Sequence, residues 1–285
     1  MSADQDIRIV NGIGEAGGTA RAWICDIWGV IHNGVTVYPR AVDACLAFRR
    51  AGGRIILVSN APRPSAGVVA QLDTLGVPRA GYDAVLTSGD VARDMLRSWA
   101  GLPTWHIGPE RDLGLFEGHD IPLVGAATAQ RILCSGLFDD TTETPETYRA
   151  MLTLLAERSV PMLCANPDIK VDRGGKIIYC GGAVAGLYAE LGGAVTYAGK
   201  PHPAIYTVAR RMIAEAAGHD VPLAATWAIG DGILTDIPGG IAAGMATVYV
   251  ASAIHHDGAL SPEVLATLFP DAAGRPTFAM DALAP

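Results

Sequence analysis

The sequence has few charged residues, no excess of basic ones and no long apolar run. Charged residues make up only 18% of the 285 residues and hydrophobic ones 50%, a balance that allows a sizeable packed core and argues against extensive disorder. The formal net charge of −8 argues against a protein that binds nucleic acid through a basic face. A small phosphorylated ligand is compatible with this charge, because a metal ion and one lysine reverse the field locally.

The sequence also lacks closely spaced cysteine pairs and recognisable targeting segments. The five cysteines show no C-x-x-C pair and no Cys/His zinc spacing, which favours free thiols in a reducing compartment. The first residues, "MSADQDIRIVNGIGE", are acidic and lack the basic and apolar regions of a signal peptide. The apolar runs are too short to cross a membrane. We therefore expect a soluble, cytoplasmic protein with no membrane partner and no nucleic-acid partner.

Four segments share one format, a short apolar run followed by an abrupt polar or glycine-rich turn. They are "AWICDIWGV" (22–30), "RIILVSNAPRP" (54–64), "AVTYAGKPHP" (194–203) and "ATWAIGDGILTD" (225–236). Continuous apolar runs that alternate with amphipathic stretches predict parallel strands covered by helices on both faces. The fold class expected is therefore α/β, with a Rossmann-like parallel-sheet core.

The stretch between the second and third of these segments has its own pattern. "VARDMLRSWA" and "PETYRAMLTLLAERS" predict helices, and "TWHIG", "RILCSGLF", "VPMLCANPD" and "KIIYCGG" predict strands. A loop of this length does not stay structureless in a compact protein. We expect an inserted α+β cap domain over residues 85–194 and a core domain formed by residues 1–84 and 195–285.

Polar side chains follow each of the four predicted core strands. Asp26, Ser59, Lys200 and Asp231 each fall at a strand end, and ligands in an open parallel sheet bind beyond the carboxyl ends of its strands. Taken singly, each residue also suits an ordinary turn, a surface charge or a helix cap. Their shared placement and complementary charges predict one binding site.

These residue types suit phosphoryl transfer. A carboxylate such as Asp26 can attack phosphorus and form an acyl-phosphate, which splits one difficult step into two. Ser59 and Asn60 offer a hydroxyl and backbone amides to phosphate oxygens, and Lys200 neutralises charge on the transferring group. The two acids of "GDGILTD" (230–236) are hard oxygen ligands of the kind that Mg²⁺ selects.

The order of these motifs resembles the haloacid dehalogenase superfamily. It runs Asp-x-x-Gly-Val, hydrophobic-Ser-Asn, Gly-Lys-Pro and Gly-Asp-Gly-x-x-Thr-Asp, and it is similar to the NagD-like subfamily, whose α/β cap is inserted between the second and third motifs. "NPD" (166–168) resembles a recurrent element of that cap. The resemblance covers nearly the whole chain, and it implies a small phosphorylated metabolite as substrate, Mg²⁺ as cofactor and a homodimer through the cap.

The resemblance also implies a role for individual residues. Asp26 matches the nucleophile, and the metal ligands implied are Asp26, the backbone carbonyl of Trp28, Asp231 and Asp236. Ser59, with Asn60 beside it, and Lys200 match the phosphate-binding positions. Candidates for substrate selection are Arg63, Asn166 and Asp168.

Trp28 departs from the family pattern. The family's phosphatases have an aspartate here, which protonates the leaving group and then activates water, a contribution of about 10²–10⁴-fold. We rank a weak phosphatase first, a phosphate binder with little or no turnover second, and a dehalogenase third, because the acids at Asp231 and Asp236 are intact. His32 is the nearest ionisable group that could replace the acid, although a loop histidine without a catalytic role is the more ordinary interpretation.

Overall fold

The computed structural model describes residues 6–173, 176–251 and 259–285. Its strands are β1 (Arg8–Ile9), β2 (Ala22–Asp26), β3 (Arg54–Ser59), β4 (Ala84–Thr87), β5 (Thr104–Ile107), β6 (Arg131–Cys134), β7 (Met162–Cys164), β8 (Lys170–Arg173), β9 (Lys176–Tyr179), β10 (Val195–Tyr197), β11 (Thr226–Gly230), β12 (Ala246–Val250) and β13 (Phe278–Met280). Its α-helices are α1 (Pro39–Arg50), α2 (Ser65–Thr74), α3 (Ser88–Leu96), α4 (Arg149–Glu157), α5 (Gly181–Glu190), α6 (Pro203–Ala217), α7 (Asp236–Ala242) and α8 (Pro262–Leu268).

Two compact units divide the described residues. The first is formed by those within Met1–Ser59, Ala66–Leu86 and Tyr206–Pro285, and the second by Asn60–Ser65 and Thr87–Ile205. The first contains a seven-stranded sheet and the second a four-stranded one. The predicted domain limits, at 84/85 and 194/195, stay a prediction about where the inserted segment begins and ends.

The seven-stranded sheet has the order β1-β13-β12-β11-β2-β3-β4. The pairings from β1 through β3 are all parallel. Every residue of β2 and of β11 is buried, as expected for parallel strands whose two faces are both covered. These strands confirm the predicted α/β class with a parallel-sheet core.

The register of the two central strands determines where the polar residues lie. Ile229 of β11 pairs with Cys25 of β2, so the two strands end side by side. Asp26, the last residue of β2, and Asp231, the first residue after β11, therefore leave the sheet at the same edge. On the other side, Asp26 pairs with Val58, one residue before Ser59 ends β3.

Helix α1 shows why the connection after β2 folds as it does. The helix begins at Pro39, whose fixed φ suits the first turn, and it ends two residues before Gly52, which adopts φ +91°. Its Phe48 stacks on Trp23 of β2 with ring centroids 3.9 Å apart. This aromatic pair fixes the helix against the strand that carries Asp26.

The second unit has its own parallel sheet and core. Its four strands have the order β10-β7-β6-β5, and each neighbouring pair is parallel. Apolar side chains from the strands and from helices α4 and α5 fill the core, including Ile107, Ile132, Leu152, Met162 and Val184. Strands β8 and β9 form a separate antiparallel pair.

One expectation about the core sheet is wrong. The sequence pattern predicts a core strand in segment 194–203, but β10 pairs in parallel with β7, with Val195 opposite Met162. An apolar run before a glycine turn predicts a buried parallel strand without specifying which sheet it joins. The edge of β7 was available inside the inserted segment, so Lys200 follows a strand of the second sheet.

In the part of the chain that the structure describes, none of the helices has the length and apolar composition of a membrane span.

Candidate active site

Three carboxylates converge in the first unit. Asp26, Asp231 and Asp236 each offer an oxygen atom, and these atoms lie within 4.8 Å of one another. All three side chains are buried, with exposed fractions of 7%, 7% and 4%. The structure thus brings together the three acidic side chains that the sequence assigned to a metal site, at the edge where β2 and β11 end.

Gly29 allows the loop after β2 to lie directly against this cluster. Its φ is +82°, a left-handed conformation that favours glycine. A Cβ at this position would overlap the Oδ2 atom of Asp231. The turn is closed by the Gly29 amide, which donates to the carbonyl of His32 at 2.8 Å. The glycine is therefore required both by the backbone conformation and by the close approach to Asp231.

The loop that carries Asp231 is folded around Asp236. The amide of Gly232 donates to Asp236 Oδ2 at 3.2 Å, and the Thr235 hydroxyl donates to the same oxygen at 3.4 Å. A Cβ on Gly230 would overlap the Asp236 carboxyl group, and a Cβ on Gly232 would overlap Thr235 Oγ1. Because Asp236 accepts these hydrogen bonds, it holds the turn that places Asp231, so its role includes positioning.

The negative charge of Asp231 contributes to the raised pKa values of two tyrosines. Burial and then this charge raise the pKa of Tyr38, and the same two causes raise the pKa of Tyr249 to about 12. Both phenols therefore keep their protons at neutral pH. Neither tyrosine was among the predicted site residues, because nothing in the sequence pattern places them near Asp231.

His32 is a buried residue of the loop that follows β2. It is 1% exposed, and its Nδ1 accepts a hydrogen bond from the Gly34 amide at 2.8 Å. Burial lowers its pKa, so the imidazolium form is scarce at neutral pH. Among the described residues its Nε2 atom has no hydrogen-bond partner. These features weaken His32 as a replacement for the missing acid.

A second group of predicted residues lies in the second unit. The Lys200 amide donates to Asn60 Oδ1 at 2.8 Å, and Asn60 Nδ2 donates to the Lys200 carbonyl at 3.0 Å and to Asp168 Oδ1 at 2.9 Å. A Cβ on Gly199 would overlap Asn60 Oδ1. Asn60 thus holds the backbone of the buried Lys200. The predicted contact of Asn60 with phosphate stays a prediction.

Asp168 lies within the same group. Burial raises the pKa of its carboxyl group, and the Asn60 hydrogen bond and the Lys200 charge oppose that rise. The Asp168 amide donates to Asn166 Oδ1 at 3.1 Å, which folds the "NPD" turn on itself. The structure therefore gives the Asn166 side chain a part in holding this turn, and its predicted role in substrate selection stays a prediction.

Ser59 and Arg63 lie at the end of β3 and just after it. Ser59 is the last residue of β3, partly buried, and Arg63 lies four residues on, in the second unit. The carbonyl of Arg63 accepts a hydrogen bond from the Thr87 hydroxyl at 2.7 Å. Burial raises the pKa of Asp112, and the charge of Arg63 is one of the smaller influences that oppose this rise. Their contacts with substrate stay predictions.

Comparisons with known proteins agree with the motif order. Residues 23–122 match the model of the haloacid dehalogenase-like hydrolases, and residues 197–283 match a second model, described as HAD-hydrolase-like. A haloacid dehalogenase-like hydrolase from Brucella suis 1330 is 44% identical, with a TM-score of 0.82 over 86% of this chain and 94% of that one. The chain belongs to the haloacid dehalogenase-like hydrolase family.

More distant structures share the fold. NagD from E. coli K-12 is 22% identical, with a TM-score of 0.65 over 92% of this chain and 96% of that chain. The 4-nitrophenylphosphatase of Thermotoga maritima is also 22% identical, with a TM-score of 0.70 over 93% and 95%. The fold is thus that of the NagD-like structures, as the motifs predicted.

One curated relative is matched over part of its length. It is the dihydroxyacetone phosphatase of Corynebacterium glutamicum (strain R), 35% identical over 96 residues. The match spans about a third of this chain and about a third of that protein, 33% of each.

The contact between Gly29 and Asp231 predicts that a side chain at position 29 weakens metal binding. We expect Gly29→Ala to weaken Mg²⁺ binding about tenfold or more, because the added methyl group displaces Asp231 and strains the turn. Isothermal titration calorimetry of the full chain with Mg²⁺ measures this. The matched control is Gly52→Ala, since this glycine has φ +91° and no atom lies within 4 Å of the place that a Cβ would occupy. Asp231→Ala should abolish binding, and unchanged affinity in that variant would remove Asp231 from the metal site.

Proposed function

We propose that this chain is a Mg²⁺-dependent phosphatase that acts on a small phosphorylated metabolite through an aspartyl-phosphate formed on Asp26. The observation that carries the proposal is the convergence of Asp26, Asp231 and Asp236 within 4.8 Å. Dehalogenation through an aspartyl ester needs a carboxylate nucleophile but no such set of metal ligands. Phosphoryl transfer needs both, so the acid cluster favours a phosphorylated substrate.

The three acids are suited to Mg²⁺ by their chemistry. They are hard oxygen donors, and buried carboxylates this close repel one another unless a cation or protons lie among them. Asp26, Asp231 and Asp236 would hold the ion, together with the predicted carbonyl ligand of Trp28. When bound, Mg²⁺ supplies positive charge that offsets the charge of the phosphate oxygens.

The reaction then divides between two bond exchanges at phosphorus. An oxygen of the Asp26 carboxylate attacks the phosphorus atom, the ester bond breaks, and the alcohol or phenol oxygen leaves with the electron pair. Water next attacks the phosphorus atom of the acyl-phosphate, which releases phosphate and restores Asp26. The order of the motifs is what assigns the binding of the phosphate oxygens to Lys200 and Ser59.

The family and the curated relative support this substrate class. The chain belongs to a hydrolase family, and the relative matched over a third of its length is named a dihydroxyacetone phosphatase. A small phosphorylated metabolite is therefore the substrate class we propose. Arg63, Asn166 and Asp168 stay the candidates for choosing among such metabolites, and a homodimer through the inserted segment stays a prediction that light scattering tests.

Trp28 limits the rate that this mechanism can reach. Its indole N–H is a hydrogen-bond donor that does not ionise usefully, so it cannot protonate a departing alkoxide. Burial lowers the pKa of His32, which disfavours the imidazolium form that would donate a proton. We therefore propose weak activity that depends strongly on the acidity of the leaving group.

A binder with little or no turnover is the second candidate function. The observation that favours it is the same Trp28, because its indole cannot supply the proton that a departing alkoxide needs. Such a protein would bind phosphate esters in the presence of Mg²⁺ and release them unchanged. A metal-dependent screen over a panel of phosphomonoesters separates the two functions.

The nucleophile is tested by Asp26→Asn. We expect complete loss of hydrolysis of p-nitrophenyl phosphate, because an amide cannot form the acyl-phosphate. The matched control is Asp43→Asn, which removes one carboxylate from α1 and should leave the rate unchanged. Turnover by Asp26→Asn at the unmodified rate would refute the assigned mechanism.

The missing acid is tested by Trp28→Asp. We expect hydrolysis of alkyl phosphates to rise by about 10²-fold or more, and that of aryl phosphates to rise less, because phenoxides leave without a proton. Trp28→Leu, which removes the indole and adds no acid, is the control and should show no such rise. An unmodified protein that already hydrolyses alkyl and aryl phosphates equally fast would show that another group supplies the proton.

A further inference from the structure

The loop after β2 is shaped around the indole of Trp28. Gly34, six residues on, adopts φ +89°, and a Cβ at this position would overlap Trp28 Cη2 and lie 2.8 Å from Cζ3. The six-membered ring therefore rests on the α-carbon of Gly34. Any other residue at position 34 would displace the ring and strain the backbone.

His32 packs against the indole as well. Its ring lies edge-on to Trp28, with centroids 5.5 Å apart and an angle of 77° between the planes. The Gly34 amide donates to His32 Nδ1 at 2.8 Å, so one hydrogen bond ties the histidine ring to the glycine on which the indole rests. Two neighbours thus fix the orientation of the Trp28 ring.

The residue that carries this ring is two positions from Asp26, and its side chain remains partly exposed. Trp28 lies between Asp26 and Gly29, whose α-carbon faces the Asp231 carboxylate. Its side chain is 37% exposed. A single exposed apolar residue needs no explanation, but an indole held between a glycine and a histidine, on the loop that contacts Asp231 through Gly29, offers a flat surface with little further loss of side-chain entropy.

Two more apolar side chains are exposed on the same loops. Val35 follows Gly34 and is 83% exposed, and Leu234 lies between Asp231 and Asp236 and is 75% exposed. Both loops follow neighbouring strands of one sheet, β2 and β11. The edge of the sheet that carries three acids therefore also carries apolar side chains, a combination suited to an anionic group attached to an apolar one.

We propose that Trp28 is a stacking surface for a flat, aromatic part of the substrate, so that the site prefers phosphate esters whose leaving group carries a planar ring. The inference deepens the proposed function and rests on it. It differs from leaving-group acidity, because it concerns binding and applies equally to a benzyl ester, which leaves as an alkoxide. Aromatic stacking of this kind changes affinity by about 2- to 12-fold beyond the apolar area buried.

Unreactive phosphonates test the inference without any chemistry. Isothermal titration calorimetry of the full chain with Mg²⁺ compares benzylphosphonate with cyclohexylmethylphosphonate, which has the same number of carbon atoms but no flat ring. We expect benzylphosphonate to bind about 2- to 12-fold tighter. This ratio should fall to about one in Trp28→Leu and in Gly34→Ala, which displaces the indole. It should persist in Gly52→Ala, which adds the same methyl group at φ +91° where no atom is close.

Methylphosphonate, which has no ring, tests the phosphate site independently of the stacking role of Trp28. Binding of methylphosphonate to the unmodified protein supports the phosphate site alone, and its absence, together with that of the two larger phosphonates, would overturn the proposed function. If the two larger phosphonates bind equally to the unmodified protein, or if the preference survives Trp28→Leu, the stacking role is wrong while the phosphate site stands.

Discussion

Mutual repulsion among three buried carboxylates is the constraint on which the first unit depends. Asp26, Asp231 and Asp236 lie within 4.8 Å of one another and are almost fully buried, an arrangement that disfavours three negative charges unless a cation offsets them. The parallel register of β2 and β11 fixes two of the acids at one edge of the sheet. Glycines allow the carboxylates to approach one another, because a side chain at Gly29 would displace Asp231 and one at Gly230 would displace Asp236. The fold therefore holds in place a set of charges that would separate in a flexible chain.

In the second unit, the buried charged group is a cation, the side chain of Lys200. Lys200 is 3% exposed, and a buried ammonium group needs its backbone and its surroundings fixed. Asn60 holds the Lys200 backbone with both ends of its amide and reaches Asp168 with the same nitrogen. The consequence is that the asparagine after β3, the lysine after β10 and the acid of the "NPD" turn depend on one another. Replacing Asn60 with an apolar residue would remove all three of these hydrogen bonds at once and leave the buried backbone groups of Lys200 without this partner.

Much of this arrangement was predictable from the sequence, because the chemistry and the periodicity agreed. Asp26 and Asp231 come directly after buried apolar runs, and parallel strands bring such ends together. The sheet joined by β10 was not predictable, since its apolar run suits either sheet and only the pairing with β7 decides. Strand β1 has only two residues, Arg8 and Ile9, which is too short a run to show a periodic hydrophobic pattern.

The close approaches around the site were also beyond sequence reasoning. Gly29 belongs to a recognisable motif, yet its contact with Asp231 depends on a positive φ that the sequence does not state. Gly34 has no motif at all, and its role is visible only in the indole that rests on it. The intrinsic pKa of histidine makes His32 a candidate acid, and the burial that lowers this pKa is visible only in the structure.

A crystal structure of the chain with Mg²⁺ and beryllium fluoride tests the central claim most directly. Beryllium fluoride imitates a phosphoryl group and bonds to a carboxylate oxygen that acts as the nucleophile. The account predicts that beryllium bonds to an Asp26 oxygen, with Mg²⁺ held by Asp26 and Asp231 and with Asp236 directly beside the ion or joined to it through water. Beryllium fluoride bound to another carboxylate, or Mg²⁺ bound away from these three acids, would contradict it.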